Sequence, residues 1–150
     1  MLSALCALTL CLGAANAKPN FSGDWKANMD KSDFGPMPPP SSLTAKITHA
    51  DPDLKVTSVQ KGDQGERTID SKYNTEGKET ENQLGPMAAK STAAWDGDAL
   101  NITTKLDMNG TEIKLTEKWT LSEDGKTLKR NGHITTPQGE FDIVYVFEKQ

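Results

Sequence analysis

The chain has 150 residues, which is room for one domain built on one core. Seventeen Lys and Arg against 21 Asp and Glu leave a net charge of −4, a balance that disfavours nucleic acid or an anionic membrane surface as a partner. Both cysteines, Cys6 and Cys11, lie in an uncharged leading segment, so the rest of the chain has no disulfide, no thiol nucleophile and no thiolate metal site.

That leading segment is nearly all apolar from Leu2 to Leu12 and ends in Ala15-Asn16-Ala17, a small-x-small cleavage site. It is too short to remain as a membrane-spanning helix. Residues 1–17 therefore read as a signal peptide, and 18–150 as the mature domain, secreted or periplasmic after cleavage near Ala17. Leu5 and Leu10 precede the two cysteines where a lipid-attachment site needs a small residue, which argues against a lipoprotein. No integral membrane segment is expected in the mature protein.

From Phe21 onward, short runs are separated by turn residues every 8 to 12 positions, the spacing of an antiparallel meander. Ten strands are predicted, roughly 21–27, 42–49, 54–60, 66–74, 79–84, 88–95, 99–107, 111–121, 127–135 and 140–149. Within them apolar residues alternate with period two. Leu43, Ala45 and Ile47 share a side, as do Leu100, Ile102, Thr104 and Leu106. Ile113, Leu115, Trp119 and Leu121 do the same, and so do Phe141, Ile143, Tyr145 and Phe147. Strands with one wet face follow this pattern.

One connection is not a hairpin. Asn28 to Ser41 holds four of the eight prolines and separates the first strand from the other nine, as a crossover strap or as a lid over one end. Within it, Ser32 or Asp33 is the candidate start of a helical turn. An open sheet with one apolar face would leave a sticky surface and bare edges. Folding into a sandwich is one solution. An unbroken chain of hairpins closes more simply as an up-and-down antiparallel β-barrel, so the fold class is all-β.

The opening Asn20-Phe21-Ser22-Gly23-Asp24-Trp25-Lys26 carries a Gly-x-Trp that resembles the first strand of lipocalins and fatty-acid-binding proteins, the calycin superfamily. Ala94-Trp95-Asp96-Gly97-Asp98-Ala99-Leu100 and the ending Val146-Phe147-Glu148-Lys149-Gln150 are similar to a hairpin and the last strand of fatty-acid-binding proteins. The whole chain resembles small exported bacterial proteins of lipocalin-like type. The resemblance implies a lipocalin-like barrel with a strap after its first strand, holding a small hydrophobic molecule inside. Fatty-acid-binding proteins grip a carboxylate with an Arg-x-Tyr pair near the C-terminus. The matching positions here are Tyr145 and Phe147, so the cationic half of that clamp is missing. Lipocalins also set an Arg or Lys across the first-strand Trp, and Arg130 is the candidate.

Strict alternation puts three charged groups on inward faces: Arg67 with Ile69 and Tyr73, Glu117 with Leu115 and Trp119, and Arg130 with Leu128 and Ile134. A charge inside a barrel is costly unless paired or near a wet opening. Glu117 and Arg130, on neighbouring strands, either orient a ligand's polar end or form a structural ion pair. The ligand-binding candidates are accordingly Arg130, Glu117, Trp119, Tyr145 and Phe147. Ala89, Ser91 and Ala93 leave room inside, for a ligand or for the rings of Trp25 and Trp119. His133 should face solvent, and His49 with Asp51 and Asp53 on an exposed turn makes a poor metal site. No catalytic residue, metal or cofactor is indicated. The two readings are a carrier of a small apolar ligand and a filled barrel acting as a non-catalytic envelope or protein-interaction module. The oligomeric state is left open.

Overall fold

A computed structural model describes residues 17–150. The signal-peptide reading, including Cys6 and Cys11, lies outside the described residues save for Ala17. Ten strands follow in chain order: β1 (Gly23–Ala27), β2 (Ser42–Ala50), β3 (Asp53–Gly62), β4 (Gly65–Asn74), β5 (Thr80–Leu84), β6 (Met87–Asp96), β7 (Ala99–Met108), β8 (Thr111–Leu121), β9 (Thr127–Thr136) and β10 (Gly139–Lys149). They form one antiparallel sheet in the order β4-β3-β2-β1-β10-β9-β8-β7-β6-β5. A barrel, not a sandwich, is the result, because the first and last strands of the chain pair through Trp25↔Lys149 and Ala27↔Phe147. Among the described residues no helix is long and apolar enough to cross a membrane.

Most strand ends lie within a residue or two of the alternation's limits because the turns are tight. Asn109 and Gly110 both take positive φ, 54° and 84°, as a two-residue Asn-Gly hairpin requires. β1 starts two residues later than the alternation, at Gly23. Upstream of it the Phe21 amide donates to His49 Nδ1 at 3.2 Å, and the Ser22 hydroxyl donates to the His49 carbonyl at 3.1 Å. Side-chain bonds replace the ladder there, which lets Phe21 fold across the barrel end.

β4 and β5, the two ends of the sheet, adjoin through side chains. Lys72 N–H donates to Asn82 Oδ1 at 2.8 Å, and its carbonyl accepts from Thr80 Oγ1 at 2.7 Å and Asn82 Nδ2 at 3.0 Å. The seam is thus sealed by two short polar residues in place of a backbone ladder.

The connection from Asn28 to Ser41 departs from expectation in its helical turn. A single 3-10 turn forms at Met29–Lys31, capped by Asn28, whose side chain accepts from Lys31 N–H. Ser32 and Asp33 come after that turn because β10 has free backbone groups once β1 ends. Asp33 exchanges backbone bonds with Val144 at 2.7 and 2.8 Å, and Asn28 N–H donates to the Val146 carbonyl at 2.7 Å. Buried Phe34 then packs on Tyr145, ring centroids 5.2 Å apart, before Ser41 N–H reaches the Lys61 carbonyl at 2.7 Å.

The core is uneven along the barrel. At one end Phe21, Trp25, Leu54, Leu100, Trp119, Leu128 and Phe147 are buried to 1% exposure or less. This is the plug, and burying a side chain of this size contributes about 1.5–3 kcal/mol each. Toward the other end, Leu43, Ser58, Ile69, Ile113, Leu115, Ile134 and Tyr145 lie on the same inner face yet stay only half-buried.

Candidate functional site

The five ligand-binding candidates converge around Arg130, where the plug residues Trp119 and Phe147 meet the middle of the barrel. Trp119 sits opposite Arg130 in the β8–β9 register, and Arg130 opposite Tyr145 in β9–β10. Three consecutive strands with one inward phase therefore stack these side chains side by side. The guanidinium carbon of Arg130 lies 4.4 Å from the Trp119 ring centre, 5.7 Å from Tyr145 and 5.8 Å from Phe147. Such an aromatic cage stabilises a cation that has lost its water.

Glu117 completes the cluster from one step further along β8. Arg130 Nε and Nη2 both donate to Glu117 Oε1, at 2.9 and 2.6 Å. The Glu117 and Arg130 side chains are 3% and 14% exposed, so the pair is largely desolvated. Burial alone would lower the Arg130 pKa, but the Glu117 charge outweighs it and holds the guanidinium above its ordinary value. Half-buried Tyr73, from β4, was not singled out for this cluster by sequence. Burial first, and the Glu117 charge second, push its phenol pKa up. Burial also raises Tyr145. Both phenols remain protonated donors near neutral pH.

Gly132 makes the inner wall thin at this level. It faces Glu117 on β8 and Ile143 on β10. A Cβ there would come within 2.7 Å of Ile143 Cγ1, so a side chain at this position would force Ile143 to shift. On β6, three strands along the sheet, Ala89, Ser91 and Ala93 are buried on the inner face, and Ser91 Oγ meets Thr104 Oγ1 at 2.8 Å.

Two expectations need correction. The cation across the first-strand Trp is Lys149, whose Nζ lies 5.5 Å from the Trp25 ring centre, while Arg130 covers Trp119. The β1–β10 register sets Lys149 opposite Trp25, and the side chain crosses Gly23, where a Cβ would fall 2.7 Å from Lys149 Cε. His49 is not on an exposed turn but buried, 6% exposed, on the inner face of β2. Arg67 keeps the inward phase but is exposed, beside Gly85 at the open end.

His49 belongs to a clasp at the closed end. Its Nε2 lies 3.0 Å from Asp51 Oδ1, which also accepts from Thr75 Oγ1 at 2.6 Å, and the Trp95 indole reaches the same carboxylate at 3.3–3.4 Å. Burial acts to raise the Asp51 pKa, but the bonds from Thr75, His49 and Trp95 prevail and leave it below the usual value. A depressed carboxylate pKa contributes stability that is present above its unfolded value and lost as pH falls through the folded one. The acid limb of unfolding, below about pH 4, is therefore expected to be shallower in Asp51→Asn, measured as urea midpoint against pH. An unchanged limb would show that the clasp holds no charge-dependent stability.

Among the described residues the outer wall offers no comparable cluster. A groove of about 810 Å³ is lined by Lys72, Glu81, Lys90, Lys105, Asp107 and Glu112 among others. Exposed pairs such as Lys90–Glu79, at 3.3 Å, cancel its charge locally. His133 is half-exposed, bonded to Asp142 at 2.7 Å. Among the described residues no group of three His, Cys, Asp or Glu side chains is arranged to hold a metal ion.

The fold is a lipocalin-like antiparallel β-barrel. Among solved structures it is similar to a secretory abundant heat soluble (SAHS) protein of Ramazzottius varieornatus, with TM-score 0.66 and 12% identity over 89% of this chain and 97% of that one. It is also similar to zebrafish ileal bile acid-binding protein in complex with cholic acid, with TM-score 0.59, 18% identity, and 87% and 98% of the two chains covered. The fatty-acid-binding protein of Manduca sexta follows at TM-score 0.52, 16% identity, 86% and 99% covered. No family model matches the chain, and no curated protein matches it in sequence. At these identities the likeness is one of fold.

Proposed function

We propose that this protein is an exported, non-catalytic carrier that binds a small apolar molecule inside its barrel. The observation that carries the reading is the gradient along the inner wall. One end is packed with fully buried rings, while inward-facing Ile69, Ile113, Leu115, Ile134 and Tyr145 remain partly accessible toward the other. Apolar side chains left half-covered on a concave wall are what an apolar guest would cover, at roughly 25 cal/mol per Å². The bile acid-binding and fatty-acid-binding proteins of the same fold support it by analogy. Export rests on the leading segment ending at Ala17, and a periplasmic or extracellular location follows from it.

Titration with diphenylhexatriene, a neutral apolar fluorophore, tests the reading. Saturable binding with energy transfer from the interior tryptophans is the expected result. Ala89→Phe, which fills the inner wall, should weaken it by about tenfold, or ~1.4 kcal/mol. Absence of saturable uptake would refute the carrier and favour a filled barrel working through its surface. The intact mass of protein recovered from its own host should start at Lys18; a mass retaining the leader would refute export.

A further inference from the structure

Nearly all the polar chemistry that a guest would meet inside this barrel is uncharged or already compensated. Strand by strand, the inner face at mid-barrel carries one anion and one cation, Glu117 on β8 and Arg130 on β9. The walls around them supply Val56, Ser71 and Tyr73 from β3 and β4, and Ser91, Ala93, Ile102 and Thr104 from β6 and β7. The remaining inward cations sit at the two ends: Lys149 over Trp25 at the plug, and exposed Arg67 at the open rim. His49, bound to Asp51, is also at the plug.

Arg130 spends two of its donors on a single oxygen of Glu117 and is flanked by three rings. A carboxylate entering beside it would meet Glu117 as a like charge in a poorly solvated place, which costs several times more than in water. It would find only the remaining N–H donors of a guanidinium whose charge Glu117 already compensates. A hydroxyl has no such conflict. Glu117 Oε2 accepts no hydrogen bond from the described residues, whereas Oε1 takes both of Arg130's. The phenols of Tyr73 and Tyr145 and the linked hydroxyls of Ser91 and Thr104 can donate or accept in turn.

We propose that the barrel selects an apolar molecule whose head is a neutral hydroxyl over a fatty-acid anion, because the Glu117–Arg130 pair presents a compensated cation and a free carboxylate oxygen to the guest. This rests on the carrier reading above and goes beyond it by naming the head group. Glu117 and Arg130 then act together as a filter: the carboxylate repels anions, and the guanidinium holds that carboxylate in place through two hydrogen bonds.

Displacement of bound diphenylhexatriene by dodecanol, dodecanoate and dodecylammonium at neutral pH decides it. Dodecanol should compete at least about tenfold more tightly than dodecanoate, a difference of ~1.4 kcal/mol. Dodecanoate binding equally well or better would overturn the proposal, and loss of that binding in Arg67→Ala would show an anionic head seated at the rim. Failure of the fluorophore itself to bind would remove the carrier reading and this proposal with it. Binding of the fluorophore without a preference for the alcohol would remove this proposal alone. In Glu117→Gln the Arg130 charge is uncompensated, so the preference should reverse toward dodecanoate; an unchanged order would overturn the filter. Should that variant not fold, the unmodified protein's ligand order still decides.

Discussion

Replacing Trp25 by alanine is expected to destabilise the protein by about 3–5 kcal/mol, a large share of the ~5–15 kcal/mol by which a domain of this size is stable. Trp25 is 1% exposed and joins β1 to the plug. Its indole donates to the Phe21 carbonyl at 2.9 Å, and Lys149 covers one face. The cavity left by truncation cannot collapse easily, because the surrounding wall is a hydrogen-bonded sheet. A urea midpoint that falls with little change in slope is the expected reading. Phenylalanine substitutions sharpen the point. Trp119 is equally buried, but its Nε1 has no hydrogen-bond partner. Trp25→Phe loses a hydrogen bond, whereas Trp119→Phe removes an unsatisfied donor, so the first should cost about 1 kcal/mol more. The reverse order would mean that the Trp119 N–H is satisfied in solution.

Glu117→Leu is expected to cost about 3–5 kcal/mol, since it leaves Arg130 as an unpaired cation in a largely dry place. Glu117→Leu combined with Arg130→Leu should recover most of that loss, because two leucines fill similar space without desolvated charge. The double-mutant cycle measures the coupling directly. If the double variant is as unstable as the single one, the pair is not what organises the barrel's middle. Strong recovery with loss of the preference for an alcohol head would separate stability from selectivity: the pair would then be kept for what it admits.

Strand number and strand faces were readable from local pattern. Period-two alternation and turn residues such as Asn109-Gly110 act over a few positions, so each strand announces itself. The inward phase of Glu117 and Arg130 was readable for the same reason, as was the outward phase of His133. The ion pair of Glu117 and Arg130 was one of two open alternatives, because alternation assigns a face but no register along the neighbouring strand; the structure brings them to 2.6 Å. The helical turn at Met29–Lys31, upstream of Ser32, depended on β10 offering free backbone groups beyond the end of β1. No property of residues 28–41 taken alone contains that.

His49 shows the limit most plainly. Beside Asp51 and Asp53 it reads as part of a wet hairpin, yet it is the last inward residue of β2, and Phe21 folds over it with ring centroids 5.6 Å apart. Lys149 likewise looks like a solvated tail residue until the pairing of β1 with β10 lays it across Trp25.

By itself, then, the order of residues determined an all-β domain of about ten strands with one greasy face, because burial and turn formation are decided within a few residues of each position. Closure decided everything that links distant positions: which cation covers which tryptophan, that Tyr73 joins the Glu117–Arg130 cluster, and that one end is plugged while the other stays partly open. Those outcomes depend on register and curvature, which arise only when the whole sheet is in place.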